Sequence, residues 1–222
     1  MAKAKEAAAG RPGLRERKKL ARRGRIVEAA SALFREKGFE AATMREIAAR
    51  ADVGVGTVFV HAKSKSDLLV LVYWEAIRDT VKKAFTTLPK GATLADELMY
   101  VFTRLFDMYA RDVELSRVYV REVIFTPGPT RQEMDELTLL FFRTAAERMG
   151  AARGRGELGD HFDPVTAARN IFGLYFFALT AWLGGWVVDR KAALKGLRES
   201  VELQIEGLRP RGVETKRAPR TK

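Results

Sequence analysis

Residues 43–65, TMREIAARADVGVGTVFVHAKSK, decide the fold. Thr43 and Glu46 have the S/T-x-x-E spacing of a capping box, in which each side chain satisfies a backbone N–H at a helix start. Ile47, Ala48 and Ala51 give a helix over about 44–51 one small apolar face. Asp52, Gly54 and Gly56 interrupt that pattern, since glycine is a poor helix-interior residue and a common turn residue. Val55 to His61 is long enough for two turns of a second helix. Ser64 and Asp67 repeat the capping-box spacing ahead of Leu68, Leu69, Val72 and Tyr73, so a longer helix begins near Lys65. Helix, short turn and helix is the geometry that lays one helix in a DNA major groove.

Working outward, Ile26, Ala30, Leu33 and Phe34 sit at i, i+4, i+7 and i+8, one face of a helix from about Arg15 to Lys37 that Gly38 closes. Residues 1–16 read as a disordered basic arm, of low complexity and then broken by Gly10, Pro12 and Gly13. The helix from Lys65 reaches about Thr87, before Pro89 and Gly91. Thr93 caps a fifth helix with Leu94, Leu98, Val101, Phe102, Leu105 and Tyr109 on one face, and Asp112 caps a sixth with Leu115, Val118, Tyr119 and Val123. Thr126-Pro-Gly-Pro breaks the chain. A seventh helix starts near Pro129, and Gly150 to Gly159 reads as a Gly/Arg-rich loop. Asp163-Pro164 places an N-cap before Pro, starting an eighth helix that runs to about Val188. Leu194, Leu197, Val201, Ile205 and Leu208 mark a ninth over about 190–208. The expected fold is all-α, with about nine helices.

Composition narrows the chemistry. The 222 residues include no cysteine, which excludes disulfides and thiolate metal sites, and two histidines, too few for a His-rich site. His161, between Asp160 and Asp163, reads as part of a polar loop and helix cap, so no metal or other cofactor is expected. The net charge of +12 is concentrated in the tails: residues 1–25 carry ten Lys/Arg and two Glu, and residues 209–222 carry six Lys/Arg and one Glu, leaving −1 over residues 26–208. Basic tails can simply aid solubility. The alternative is attraction to phosphate through counterion release, which the position of the first tail favours. The second tail, 209–222, has no such neighbour. There is no apolar signal segment, so a cytoplasmic protein is expected. Ile171 to Val188 lacks charge, but Gly173, Thr180, Gly184 and Gly185 dilute it, and burial between a core and a partner subunit explains it better than a membrane.

Residues 25–69 resemble the DNA-binding domain of TetR-type (TetR/AcrR) transcriptional regulators. The matching residues are Ile26, Ala29, Ala30, Leu33, Phe34, Gly38 and Phe39, then Thr43, Ile47, Ala48 and Ala51, then Val53, Gly56, Thr57, Val58, Phe59, His61, Lys65 and Leu68. Three positions depart: Asp52 stands where the family usually has Gly, Gly54 where it has a small cap such as Ser, and Phe59 where it has Tyr. The resemblance covers about the first third of the chain. It implies a helix-turn-helix domain over 17–70 and a ligand-binding and dimerisation domain over 71–208. It also implies that Val55–His61 enters the major groove of double-stranded DNA. Arg45 is then the candidate base reader, because a guanidinium bonds guanine bidentately. Val55, Gly56 and Thr57 approach bases, Thr43 and Lys65 lie at helix starts suited to phosphate, and Phe59 and His61 lie near the DNA backbone.

In the second domain the resemblance implies an apolar ligand cavity. Phe102, Phe106, Tyr119, Phe141 and Phe176 are its expected wall, from a wider aromatic set that includes Phe125, Phe142, Phe172 and Tyr175; ordinary core packing is the competing reading. Few charges fall on the inward faces, so the expected ligand is small and largely apolar. A palindromic operator calls for a homodimer. Gly173, Phe177, Ala181 and Gly184 of the eighth helix, with Leu197 and Val201 of the ninth, form its expected interface. The function implied is a ligand-released repressor. Two other classes compete: a sequence-independent DNA-coating protein, suggested by the basic tails, and a small all-α enzyme. The second lacks support, since no G-x-S-x-G, phosphate loop, H-E-x-x-H or Cys nucleophile is present.

Overall fold

The computed structural model describes residues 13–125 and 131–210. Among them the regular structure is entirely helical: α1 Leu14–Lys37, α2 Met44–Arg50, α3 Val55–His61, α4 Lys65–Thr86, α5 Leu94–Tyr109, α6 Val113–Phe125, α7 Arg131–Gly154, α8 Pro164–Leu183 and α9 Arg190–Glu206. The start signals work as their chemistry requires. Asp96 N–H donates to the Thr93 hydroxyl (3.2 Å), Leu115 N–H to Asp112 (3.0 Å), Thr166 N–H to Asp163 (2.7 Å) and Ala192 N–H to Asp189 (2.8 Å).

Three boundaries differ from expectation. Residues 14–16 belong to α1, while 1–12 and the tail from 211 lie outside the described residues, as does the start of the seventh helix near Pro129. α7 passes through Gly150 to Gly154, shortening the expected loop. Met149 and Ala152 are buried on either side of that glycine, and their burial outweighs its cost of about 1 kcal/mol. α8 stops at Leu183 instead of near Val188, because Gly185 takes φ +80° and the chain turns, exposing Trp186 and Val188. Among the described residues no helix is long and apolar enough to cross a membrane.

The described residues fall into two compact units, within Met1–Glu75 plus Val118–Gln132 and within Ala76–Arg117 plus Glu133–Lys222. The first unit closes over Ile26, Phe34, Ile47, Val58, Leu68 and Leu69, and Tyr73 stacks on Tyr119 at 4.1 Å. The boundary expected after residue 70 falls slightly early, and the return of residues 118–125 to the first unit was not anticipated. The second unit is built on α5, α7, α8 and α9. Phe102 stacks on Tyr175 (4.9 Å) and Phe106 on Trp182 (5.4 Å), while Phe141 meets Phe172 (5.5 Å).

Candidate nucleic-acid interface

The Thr43 hydroxyl accepts from Glu46 N–H (3.2 Å), and the Glu46 carboxylate accepts from Thr43 N–H (3.0 Å), so the capping box of α2 is complete. The same carboxylate takes Lys37 Nζ at 2.6 Å, tying α1 to α2. These bonds, Lys37 first and then Thr43, hold Glu46 at about 2, well below the carboxylate range. Arg50 clasps Glu36 with two bonds (2.5 and 2.7 Å), a second tie between the same helices. At the other end Asp67 N–H donates to Ser64 Oγ (3.0 Å). The Asp67 carboxylate accepts from Lys63 N–H (2.9 Å), one residue further back than a regular box requires.

Between α2 and α3, Asp52 takes φ +52°, the left-handed conformation. Gly54 then caps α3 with extended backbone and no side-chain bond. Inside the domain α3 is held by Val58, which is fully buried.

The expected DNA-contacting residues divide by what they are already doing. Arg45 is exposed on α2 with no ion pair or hydrogen bond among the described residues, whereas Lys37 and Arg50 are both engaged. Thr43 spends its hydroxyl on the capping box. Lys65 is turned inward: its ammonium donates to Glu40 O (2.8 Å) and sits 4.6 Å from the centre of the Phe39 ring. These contacts staple the α1–α2 turn to α4. Gly56 and Phe59 are exposed, while Val55, Thr57 and His61 are half-buried. Two residues went unread. Val60 is 73% exposed and Lys63 is exposed just beyond α3. For Val60 the signal was present, since a position two residues beyond buried Val58 and four beyond Gly56 must face outward.

A family model of bacterial regulatory proteins, tetR family, matches residues 26–72. That span is the compact α1–α4 arrangement just described. This chain carries a TetR-family DNA-binding domain. Its relatives include the fatty acid metabolism regulator protein of Bacillus subtilis, 26% identical over 82% of this chain and 93% of that protein. The transcriptional repressor KstR of Rhodococcus jostii is 28% identical over 83% and 81%. Among solved structures, Thermus thermophilus FadR, a TetR-family repressor in complex with lauroyl-CoA, matches with a TM-score of 0.68 at 25% identity, covering 88% of this chain and all of that one (100%). Bacillus subtilis FadR in complex with stearoyl-CoA matches with a TM-score of 0.63 at 25% identity, covering 83% and 98%.

In the second unit the residues expected to line a cavity are interior. Phe102, Phe106 and Phe141 are buried and Phe176 is half-buried, stacked on Phe172 at 6.2 Å. Tyr119 is buried in the first unit against Tyr73. Phe125 lies outside the described side chains. One charge near these faces, Arg148 of α7, reaches back to α5. It makes a two-pronged bond to Glu97, with Nε at 2.7 Å, and Glu97 is buried. Glu97 was missed although it lies three residues after Leu94, within the apolar stripe of α5.

The expected interface needs correction. Ala181, Leu197 and Val201 are buried within the chain's own packing, so they offer no surface to a partner. Gly173, Phe177 and Gly184 are exposed, and Phe177 is 63% exposed.

Proposed function

We propose that this regulator is a homodimeric repressor of a palindromic operator, released when a long-chain acyl thioester of coenzyme A binds its second unit. The observation that carries the ligand class is the interior of that unit. Rings of α5, α7 and α8 meet one another there, and among the described residues its one buried charged side chain, Glu97, is already paired. A hydrocarbon chain needs no counter-charge, whereas a buried anion would. The acyl-CoA ligands of the two FadR structures have such a chain. Binding shifts the operator equilibrium only as far as the ligand prefers the released state.

The test is fluorescence anisotropy on a selected operator with lauroyl-CoA, stearoyl-CoA, free coenzyme A and lauric acid. The acyl thioesters should release DNA and free coenzyme A should not. Phe141→Ala should weaken release at least about tenfold, the scale of a lost aromatic contact. Release by small polar anions, unaffected by Phe102→Ala or Phe141→Ala, would reject this ligand class.

The second copy is proposed to dock on the exposed stripe of α8. Val165, Gly173 and Phe177 lie there at multiples of four residues, with Leu203 exposed on α9. Gly173 beside the Phe177 ring allows close helix approach, with exposed Arg169 on the same stripe. Light scattering should give twice the chain mass for the wild type and the single-chain mass for Phe177→Glu. An unchanged dimer would move the interface elsewhere.

A further inference from the structure

We infer that α3 reads its operator through the 5-methyl group of a thymine, received by a notch formed by Gly56 and Val60. The inference rests on the reading that this chain binds specific DNA, and it names the chemistry that α3 recognises.

A helix turns about 100° per residue, so Gly56 and Val60 lie opposite Val58, the residue that anchors α3 in the core. They are the outward pole of the helix. Side chains on a helix lean toward its N-terminus, so Val60 leans over Gly56. Thus the two methyls of Val60 and the bare backbone of Gly56 bound one shallow apolar depression. The exposed side chains of α3 are Phe59 and Val60, neither of which can donate or accept a hydrogen bond. The residues that can, Thr57 and His61, lie half-buried on the flanks.

The glycine supplies an independent observation. A Cβ built on Gly56 meets nothing within 4 Å, and the residue does not have positive φ. The fold therefore has no use for a glycine there, although it costs the helix stability relative to alanine. Its missing side chain serves whatever presses on α3 from outside.

Of the groups in the major groove, the thymine methyl is the apolar one. A depression with no polar side chain discriminates thymine from cytosine by that methyl alone. Guanine is left to the free guanidinium of Arg45 on α2.

The experiment uses the full chain and an operator selected from a random library. Each thymine of one half-site is replaced in turn by deoxyuridine, which removes only the methyl. One thymine per half-site should lose about fourfold in affinity, and about fifteenfold when both half-sites are changed. A 5-methylcytosine–guanine pair at that position should bind more tightly than cytosine–guanine. With Val60→Ala the deoxyuridine effect there should shrink to under about twofold, because the partner of the methyl is gone. Gly56→Ala should raise the melting temperature and weaken operator binding. If every thymine tolerates deoxyuridine while the operator is still bound specifically, methyl reading is overturned. If Gly56→Ala leaves operator affinity intact, the notch is overturned. A chain that selects no sequence at all fails the DNA-binding reading itself.

Discussion

Asp52 has a β-carbon in a conformation that crowds one. At φ +52° it meets the following carbonyl, a cost that aspartate bears better than most residues but glycine avoids. Asp52→Gly should therefore stabilise the chain by about 0.5–1 kcal/mol, seen as a higher urea midpoint at unchanged slope. Arg25 at 3.9 Å is exposed and offsets little. A destabilised variant would show that the aspartate has a structural role beyond this turn. The sequence showed that Asp52 stands where relatives use glycine, and that mismatch located the turn. It could not show the sign of φ. Glu97 escaped for a related reason: a carboxylate within an apolar stripe reads as surface until Arg148, fifty-one residues away, is known to meet it.

Helix starts were legible because capping is local. Thr43, Thr93, Asp112 and Asp163 each satisfy an N–H within three residues, as does Asp189, which was not read as a cap. Thr43→Ala should cost about 1 kcal/mol, measured by thermal or urea unfolding. The carboxylate of the same box sets a pH response. Glu46 is held at about 2 in the folded chain against an ordinary 4.5. The unfolded chain thus takes up the proton first as pH falls. Glu46's contribution is complete above pH 4.5 and is lost as pH drops toward 2. Glu46→Gln should flatten the acid limb of the stability profile in that window; an unchanged limb would mean other carboxylates govern it. Helix ends were less legible. Gly150 inside α7 and Leu183 at the end of α8 were decided by burial and by the turn at Gly185, which no short window of sequence contains.

At the scale of the molecule, the Arg148–Glu97 pair should respond unequally to its two partners. Glu97 is buried and Arg148 about one-third exposed. Arg148→Met strands a buried carboxylate, with Arg155 at 3.7 Å as a weaker substitute, and should cost about 2–3 kcal/mol. Glu97→Leu leaves a guanidinium that can turn to water, and should cost less. Equal losses in urea unfolding would mean that Arg148 cannot reach solvent. The helical class and the apolar character of the second interior were readable from periodicity, while the first domain was expected from the resemblance of residues 25–69. The return of α6 residues to the first unit and the inward turn of Lys65 were not, because they depend on contacts distant in sequence. Another consequence comes from α1, whose first half displays Arg15, Arg17, Lys18, Lys19 and Arg22 on exposed surface, while the outward face of α3 carries no charge. Attraction to any duplex would then be the work of one helix, and inspection of its bases the work of another. Such a chain could travel along DNA held by α1, its grip loosening with salt, and be arrested where the methyl pattern fits. Diffusion on non-operator DNA should quicken when these five cations are removed, and should be indifferent to Val60.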